Sequence, residues 1–277
     1  VSLPAGARHP RRVAGGDINE AFRVAMADGG EAFVKTRADA PVGEYAAEAA
    51  GLRWLAAPGA LRTPRVLEVA RGHLALEWIE PGALDGAGAE ELGRGLAETH
   101  AAGAPAFGAS GPGDETGFGW LRLSNEPALD WASFYGERRL GPLMRLGVER
   151  AVLSSGAASA LDRVCERLTS LVGAAEPPAR LHGDLWGGNV LAGRDGRPWL
   201  IDPAAYGGHR EIDLAMLRLF GAPSERIFDA YAEHSPLAEG WRERVELYQL
   251  APLLVHALLF GGSYVGAAER IARRLGG

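Results

Sequence analysis

Near the start of the chain, apolar positions recur every second residue. Phe22, Val24 and Met26 alternate with polar or small neighbours, the period of a strand with one buried face. Asp28-Gly29-Gly30 is a turn signal, and Ala32-Phe33-Val34-Lys35 reads as the strand beyond it. A strand through Arg12-Val13-Ala14 leads into Gly15-Gly16-Asp17-Ile18-Asn19, so this stretch predicts a small antiparallel sheet whose third strand ends in lysine. The period then lengthens. Tyr45, Ala49, Leu52 and Leu55 form a helical stripe, predicting a helix from Val42 to Ala57 with Pro41 in its first turn and Pro58-Gly59 at its end. Short strands follow around Arg65 to Val69 and His73 to Ile79.

Pro81 to Gly88 is rich in Gly, Pro and Ala and predicts a boundary between a sheet-rich lobe, residues 1–80, and a larger lobe, residues 81–277. Beyond it helical patterns dominate, through Glu90 to Ala101, Trp131 to Leu146, Ala157 to Val172, Glu211 to Phe220, Ser224 to Glu233, Trp241 to Phe260 and Tyr264 to Leu275. Ala102 to Asp130, rich in Gly and Pro, reads as one long loop, a length that often carries function. The most apolar stretch, Leu247 to Val265, is interrupted by Gln249, Pro252, His256 and Gly261-Gly262, and reads as a buried helix and not a membrane span. The expected class is α+β in two lobes: a small antiparallel sheet with one helix, then a larger, mostly helical part.

Composition narrows the function. A net charge of -6 argues against a nucleic-acid partner, which calls for a basic face. The single cysteine, Cys165, lies in a helical pattern, cannot form an intrachain disulfide and excludes zinc sites built on several cysteines. Val1 to Arg12 carries Arg8, Arg11 and Arg12 with no apolar run behind them, so a cytoplasmic enzyme is expected. Lys35 is the only lysine among 29 basic residues, which suggests a site needing a compact ammonium where a planar fork would not serve.

The densest chemical signal is Leu181-His182-Gly183-Asp184-Leu185-Trp186-Gly187-Gly188-Asn189. A carboxylate and an amide separated by four residues, between apolar flanks, have the spacing of a kinase catalytic loop, in which Asp184 would receive the hydroxyl proton and Asn189 would hold a metal. Trp199-Leu200-Ile201 then runs into Asp202, a carboxylate at a strand end where such kinases bind magnesium between phosphates. Lys35 would contact the phosphates of ATP. Glu44 and Glu48 lie one helical turn apart and either could pair with it, the run Glu48-Ala49-Ala50-Gly51-Leu52 favouring Glu48. Gly15 and Gly16 would cover the phosphates. Asp17 beside them would be repelled unless it points away, binds a cation or meets a cationic acceptor, which makes it a candidate acceptor contact. Glu77, Trp78 and Ile79 would form the hinge whose backbone pairs with adenine. Trp186 would either pack against an acceptor or anchor its own loop, and Asp213 would brace the catalytic loop as a structural residue. No G-x-x-x-x-G-K-[ST] motif is present, which excludes a Walker-type NTPase.

These pieces resemble the fructosamine (ketosamine) kinase family over nearly the whole chain. The resemblance rests on Gly-Gly-Asp-Ile-Asn (15–19), Phe-Val-Lys (33–35), Glu-Ala-Ala-Gly-Leu (48–52), Arg-Arg-Leu-Gly-Pro (138–142), the His182 to Asn189 loop, Asp-Pro-Ala (202–204), the Gly208 to Met216 run, Leu-Phe-Gly (219–221) and Phe-Gly-Gly-Ser-Tyr (260–264). It implies a protein-kinase-like fold, use of ATP and Mg2+, and phosphorylation of the 3-hydroxyl of a ketosamine, free or on a glycated protein lysine, as a deglycation repair. The match is poorest from Ala102 to Asp130. The rival readings are an aminoglycoside or other small-alcohol phosphotransferase and a nucleotide-binding pseudokinase.

Overall fold

The computed structural model describes residues 2–13, 19–109 and 114–277. Strands β1 (Arg8–Arg12), β2 (Glu20–Ala25), β3 (Glu31–Thr36), β4 (Val66–Ala70) and β5 (His73–Glu77) form one antiparallel sheet in the order β1-β2-β3-β5-β4. The first strand precedes the expected Arg12 to Ala14. All its residues are exposed, so no apolar alternation betrayed it. Helix α1 (Glu44–Ala56) follows β3. It starts after the expected Val42 because Gly43, at φ 86°, turns the chain just before it, leaving Pro41 outside the first turn.

Side-chain alternation gives the sheet two buried faces. Val24, Ala32, Val34 and Ala75 cluster on one; Leu74 and Leu76 pack against Tyr45, Ala49 and Leu52 of α1 on the other. Lys35 lies opposite Leu74 in the ladder, and the two-residue period therefore turns it toward α1.

After β5 the chain is mainly helical. Helix α2 (Gly86–Ala101) begins a turn before the expected Glu90, because the Asp85 carboxylate accepts from the Gly88 N–H at 2.7 Å. Its glycines, poor helix formers, hid that turn; Gly93 is required by packing, since a Cβ there would lie 2.2 Å from the Ile227 carbonyl oxygen. The expected loop from Ala102 to Asp130 contains a hairpin, β6 (Glu115–Phe118) and β7 (Leu121–Ser124), with Thr116, Leu121 and Leu123 buried. Strands of four residues are too short to give a legible period.

The single helix expected from Trp131 to Leu146 is three pieces: α3 (Trp131–Tyr135), a π turn over Gly136–Leu140, and α4 (Gly141–Glu149). The two glycines bracket the widened turn. Helix α5 (Ser155–Leu171) starts at the Ser154 cap. Short strands β8 (Ala179–Leu181) and β11 (Tyr206–Gly208) pair with each other, as do β9 (Val190–Ala192) and β10 (Pro198–Leu200). Helices α6 (Glu211–Leu219), α7 (Arg226–His234), α8 (Trp241–Phe260) and α9 (Ser263–Gly276) complete the chain. The apolar stretch from Leu247 lies mostly in α8, in a core that includes Trp131, Phe134, Tyr135 and Tyr248; no helix among the described residues is long and apolar enough to cross a membrane.

Candidate active site

The loop after β8 is held by hydrogen bonds to its backbone. Asp213, at the start of α6 and fully buried, accepts from the N–H groups of His182 at 2.7 Å and Gly183 at 2.9 Å. Its Oδ2 also lies 3.2 Å from His100 Nε2, and His100 Nδ1 meets the Tyr231 hydroxyl at 2.8 Å. Burial would raise Asp213, but the bonds and charges of His100, His182 and Gly183 hold it below the ordinary carboxylate range. His182 Nε2 reaches the Ile201 carbonyl at 2.9 Å, which ties the loop to the segment leading into Asp202. Gly183 has φ +83°, and a Cβ there would lie 2.2 Å from the Ala204 carbonyl oxygen; no residue with a side chain fits that position without a backbone shift.

This frame brings five of the candidate residues near one another, Lys35, Glu48 and Asp202 in one cluster and Asp184 with Asn189 in the loop beside it. Lys35 Nζ donates to Glu48 Oε1 and Oε2 at 3.0 and 3.1 Å and to Asp202 Oδ1 at 2.7 Å. Glu44 instead accepts from Arg37 at 2.7 Å, so of the two glutamates only Glu48 meets the lysine. Helix α1 is set against the Asp202 segment by Gly51, where a Cβ would stand 3.2 Å from Pro203 Cγ. Asp202 itself adopts φ 54°, a left-handed backbone that costs a non-glycine residue about 1–3 kcal/mol and clusters at functional positions. Asn189 Nδ2 donates to the Asp184 carbonyl at 2.8 Å and its carboxylate at 3.2 Å.

The charges are coupled. Burial alone would push Lys35 down, but Asp202 and Glu48 outweigh it and hold the ammonium firmly protonated. Burial pushes Glu48 upward against the pull of Lys35; with both oxygens bonded to Nζ, we assign the ion pair. Asp184 is pushed up to about 7, by burial first and then by the neighbouring Asp202 charge. Two neighbouring carboxylates, Asp184 and Asp202, next to an amide oxygen, form a hard-oxygen donor set suited to a divalent cation. Among the described residues, no three His, Cys, Asp or Glu side chains form a protein-only metal cage. Magnesium held for phosphoryl transfer needs none, since one or two carboxylates with substrate phosphates and water suffice.

Asp184 opens into a small cavity shared with Phe118 and Leu123 of the hairpin, Arg139 of the π turn, Tyr206, Met216 and His256. Arg139 belongs to the Arg-Arg-Leu-Gly-Pro run (138–142), to which the sequence alone attached no role. Its signal is its register: Tyr135, Arg139 and Leu143 recur every fourth residue, and all three are buried. Trp186 is 38% exposed and meets Phe220 edge-on with ring centroids 5.8 Å apart. The segment Glu77 to Ile79 leaves the end of β5; the Glu77 and Trp78 amides donate to Arg65 and Glu31 carbonyls. Gly15, Gly16 and Asp17 lie outside the described residues. A larger open cleft of about 500 Å³, lined by Asp130, Glu137, Arg145, Asp162 and Cys165 among others, shares no residue with this site.

A five-stranded antiparallel sheet with one helix, a helical remainder, and a buried Lys–Glu pair meeting Asp202 beside the Asp184 loop define a protein-kinase-like phosphotransferase fold. Solved structures agree. A choline kinase from Streptococcus pneumoniae superposes with a TM-score of 0.65 over 98% of this chain and 94% of its own, at 17% identity, a likeness of fold alone. A structure described as a "putative fructosamine-3-kinase" from Thermobifida fusca gives a TM-score of 0.89 at 42% identity, over 97% of this chain and 93% of that one. A Thermus thermophilus protein named "probable ketoamine kinase" is 38% identical over 257 residues, 92% of this chain and 90% of the relative. The fructosamine kinase family profile matches residues 4–276. The chain belongs to the fructosamine kinase family, and is thereby a kinase that phosphorylates an alcohol group.

Proposed function

We propose that this chain transfers the γ-phosphoryl group of ATP to the 3-hydroxyl of a ketosamine, a sugar joined to an amine by glycation, carried by a small molecule or a protein lysine. The resulting 3-phosphate would shed the amine, which makes the activity a deglycation repair. The observation that carries the reading is the meeting of Lys35, Glu48 and Asp202 within 3.1 Å, next to a loop that offers Asp184 and Asn189.

Each residue has a role. Lys35, oriented by Glu48, binds the α- and β-phosphates. Asp184 takes the proton of the acceptor hydroxyl, and a carboxylate poised near 7 suits a base working at neutral pH. Asn189 and Asp202 would hold Mg2+, which when bound offsets charge on the phosphates. Asp213 fixes the loop, and Glu77, Trp78 and Ile79 offer backbone to adenine. The phosphate-covering role of Gly15 and Gly16 and the acceptor contact of Asp17 would fall on residues outside the described ones. Trp186 leaves part of its ring open to an acceptor. We place the boundary between the lobes at Glu80 and Pro81. Among the described residues the Asp184 cavity contains a guanidinium and no carboxylate besides Asp184, a poor setting for the polycationic acceptors of an aminoglycoside kinase. The presence of all four polar groups, already converging, disfavours a pseudokinase.

Asp184→Asn is the direct test. Turnover should fall by roughly three orders of magnitude, the size of a general-base contribution, while ATP affinity is kept. An Asn variant with near-normal turnover would sink the assignment.

A further inference from the structure

Arg139 carries a buried charge that the mechanism above does not use. It is 3% exposed, yet its bonds go only to neutral acceptors: Nη1 donates to the Ser124 and Arg138 carbonyls at 2.8 and 3.0 Å, and Nη2 to Asn125 Oδ1 at 2.7 Å. A buried cation without a carboxylate is costly, and a guanidinium cannot escape by losing its proton. Both Nη1 protons are committed; of the remaining Nη2 proton and the Nε proton, one has the Tyr206 hydroxyl beside it and the other has no acceptor among the described residues. Its Cζ lies 4.6 Å from the Phe134 ring and 4.2 Å from the Tyr206 ring, two rings that stack on each other, so the guanidinium packs against an aromatic pair. It is planted by a π turn, a helix irregularity that recurs at functional sites. It also lines the same cavity as Asp184.

We propose that Arg139 is the acceptor-specificity residue: its remaining N–H donates to a sugar oxygen beside the hydroxyl that Asp184 deprotonates. This rests on the reading of Asp184 as the base and its cavity as the acceptor site. The matching ligand is neutral and oxygen-rich at that point. A ketosamine offers its keto oxygen and a further hydroxyl on either side of the 3-hydroxyl, whereas a polyamine would be repelled. The rival account is structural, because the same guanidinium ties the β6–β7 hairpin to the π turn through Ser124 and Asn125.

The test is steady-state kinetics of the full chain with a ribulosamine adduct of a lysine derivative, for Arg139→Met and Arg139→Lys, alongside binding of a fluorescent ATP analogue. The loss of charge-assisted hydrogen bonds should lower kcat/KM for the acceptor about ten- to a hundredfold in the Met variant. The Lys variant, which keeps charge but not the fork, should fall between, and nucleotide affinity should stay within about twofold. An unchanged kcat/KM, or a parallel loss of nucleotide affinity in the Lys variant, would overturn the proposal. If the Met variant does not fold, saturation-transfer NMR of the same acceptor decides the matter on Asp184→Asn with and without Arg139→Lys. Binding lost only in the double variant supports the arginine; binding kept in both overturns it. Turnover retained by Asp184→Asn alone is the separate failure of the underlying reading.

Discussion

The molecule buries two cations near its candidate site and treats them in opposite ways. Lys35 sits in a cage of carboxylates, with Asp202 at 2.7 Å and Glu48 at 3.0 Å. Arg139 is equally buried but bonds only to carbonyl and amide oxygens. An ammonium that already has counter-charges is held in a fixed position and can exchange one of them for phosphate without being left bare. A buried guanidinium without a counter-charge has unmet demand for oxygen, which a ligand can meet. The first arrangement serves to position a polyanion; the second discriminates among neutral acceptors.

The largest effect should come from the caged cation. Lys35→Met should lower turnover about a hundredfold or more, through loss of phosphate stabilisation. It should also cost about 3 kcal/mol in urea unfolding, because Glu48 and Asp202 lose their shared partner. Arg139→Met leaves no carboxylate stranded and should cost about 1 kcal/mol in the same experiment. Equal losses would erase the distinction between the two cations. A finer cut separates the two glutamates of α1. Glu48→Gln should lower kcat about tenfold by loosening Lys35, whereas Glu44→Gln, whose partner is Arg37, should stay within about twofold in the same assay.

The caged side of this comparison was legible in the sequence and the other side was not. Lys35 stood out as the only lysine, at the end of an alternating strand, and Asp184, Asn189 and Asp202 carried a spacing that chemistry requires. The helical stripe through Tyr45 and Leu52 put Glu48 on a helix, the run from Glu48 to Leu52 favoured it over Glu44, and Glu48 is the one bonded to Lys35. Arg139 was hidden for a different reason. Its helix reads as one continuous period from Trp131, and the π turn that redirects it depends on two glycines whose effect is tertiary. The β6–β7 hairpin escaped notice because strands of four residues leave too few alternations, and α2 because its first turn is built from glycines that pack closely instead of favouring the helix. Local periods reveal long elements; close approaches between elements do not show in them.

The most direct test of the central claim is ATP- and magnesium-dependent phosphorylation of an acceptor panel: ribulosamine and fructosamine adducts of lysine, an aminoglycoside, choline and no acceptor, with the phosphate located by phosphorus NMR and mass. The account predicts phosphate on the 3-hydroxyl of a ketosamine and none on the aminoglycoside. Phosphate found only on another acceptor, or no transfer to any acceptor while ATP still binds, would contradict it.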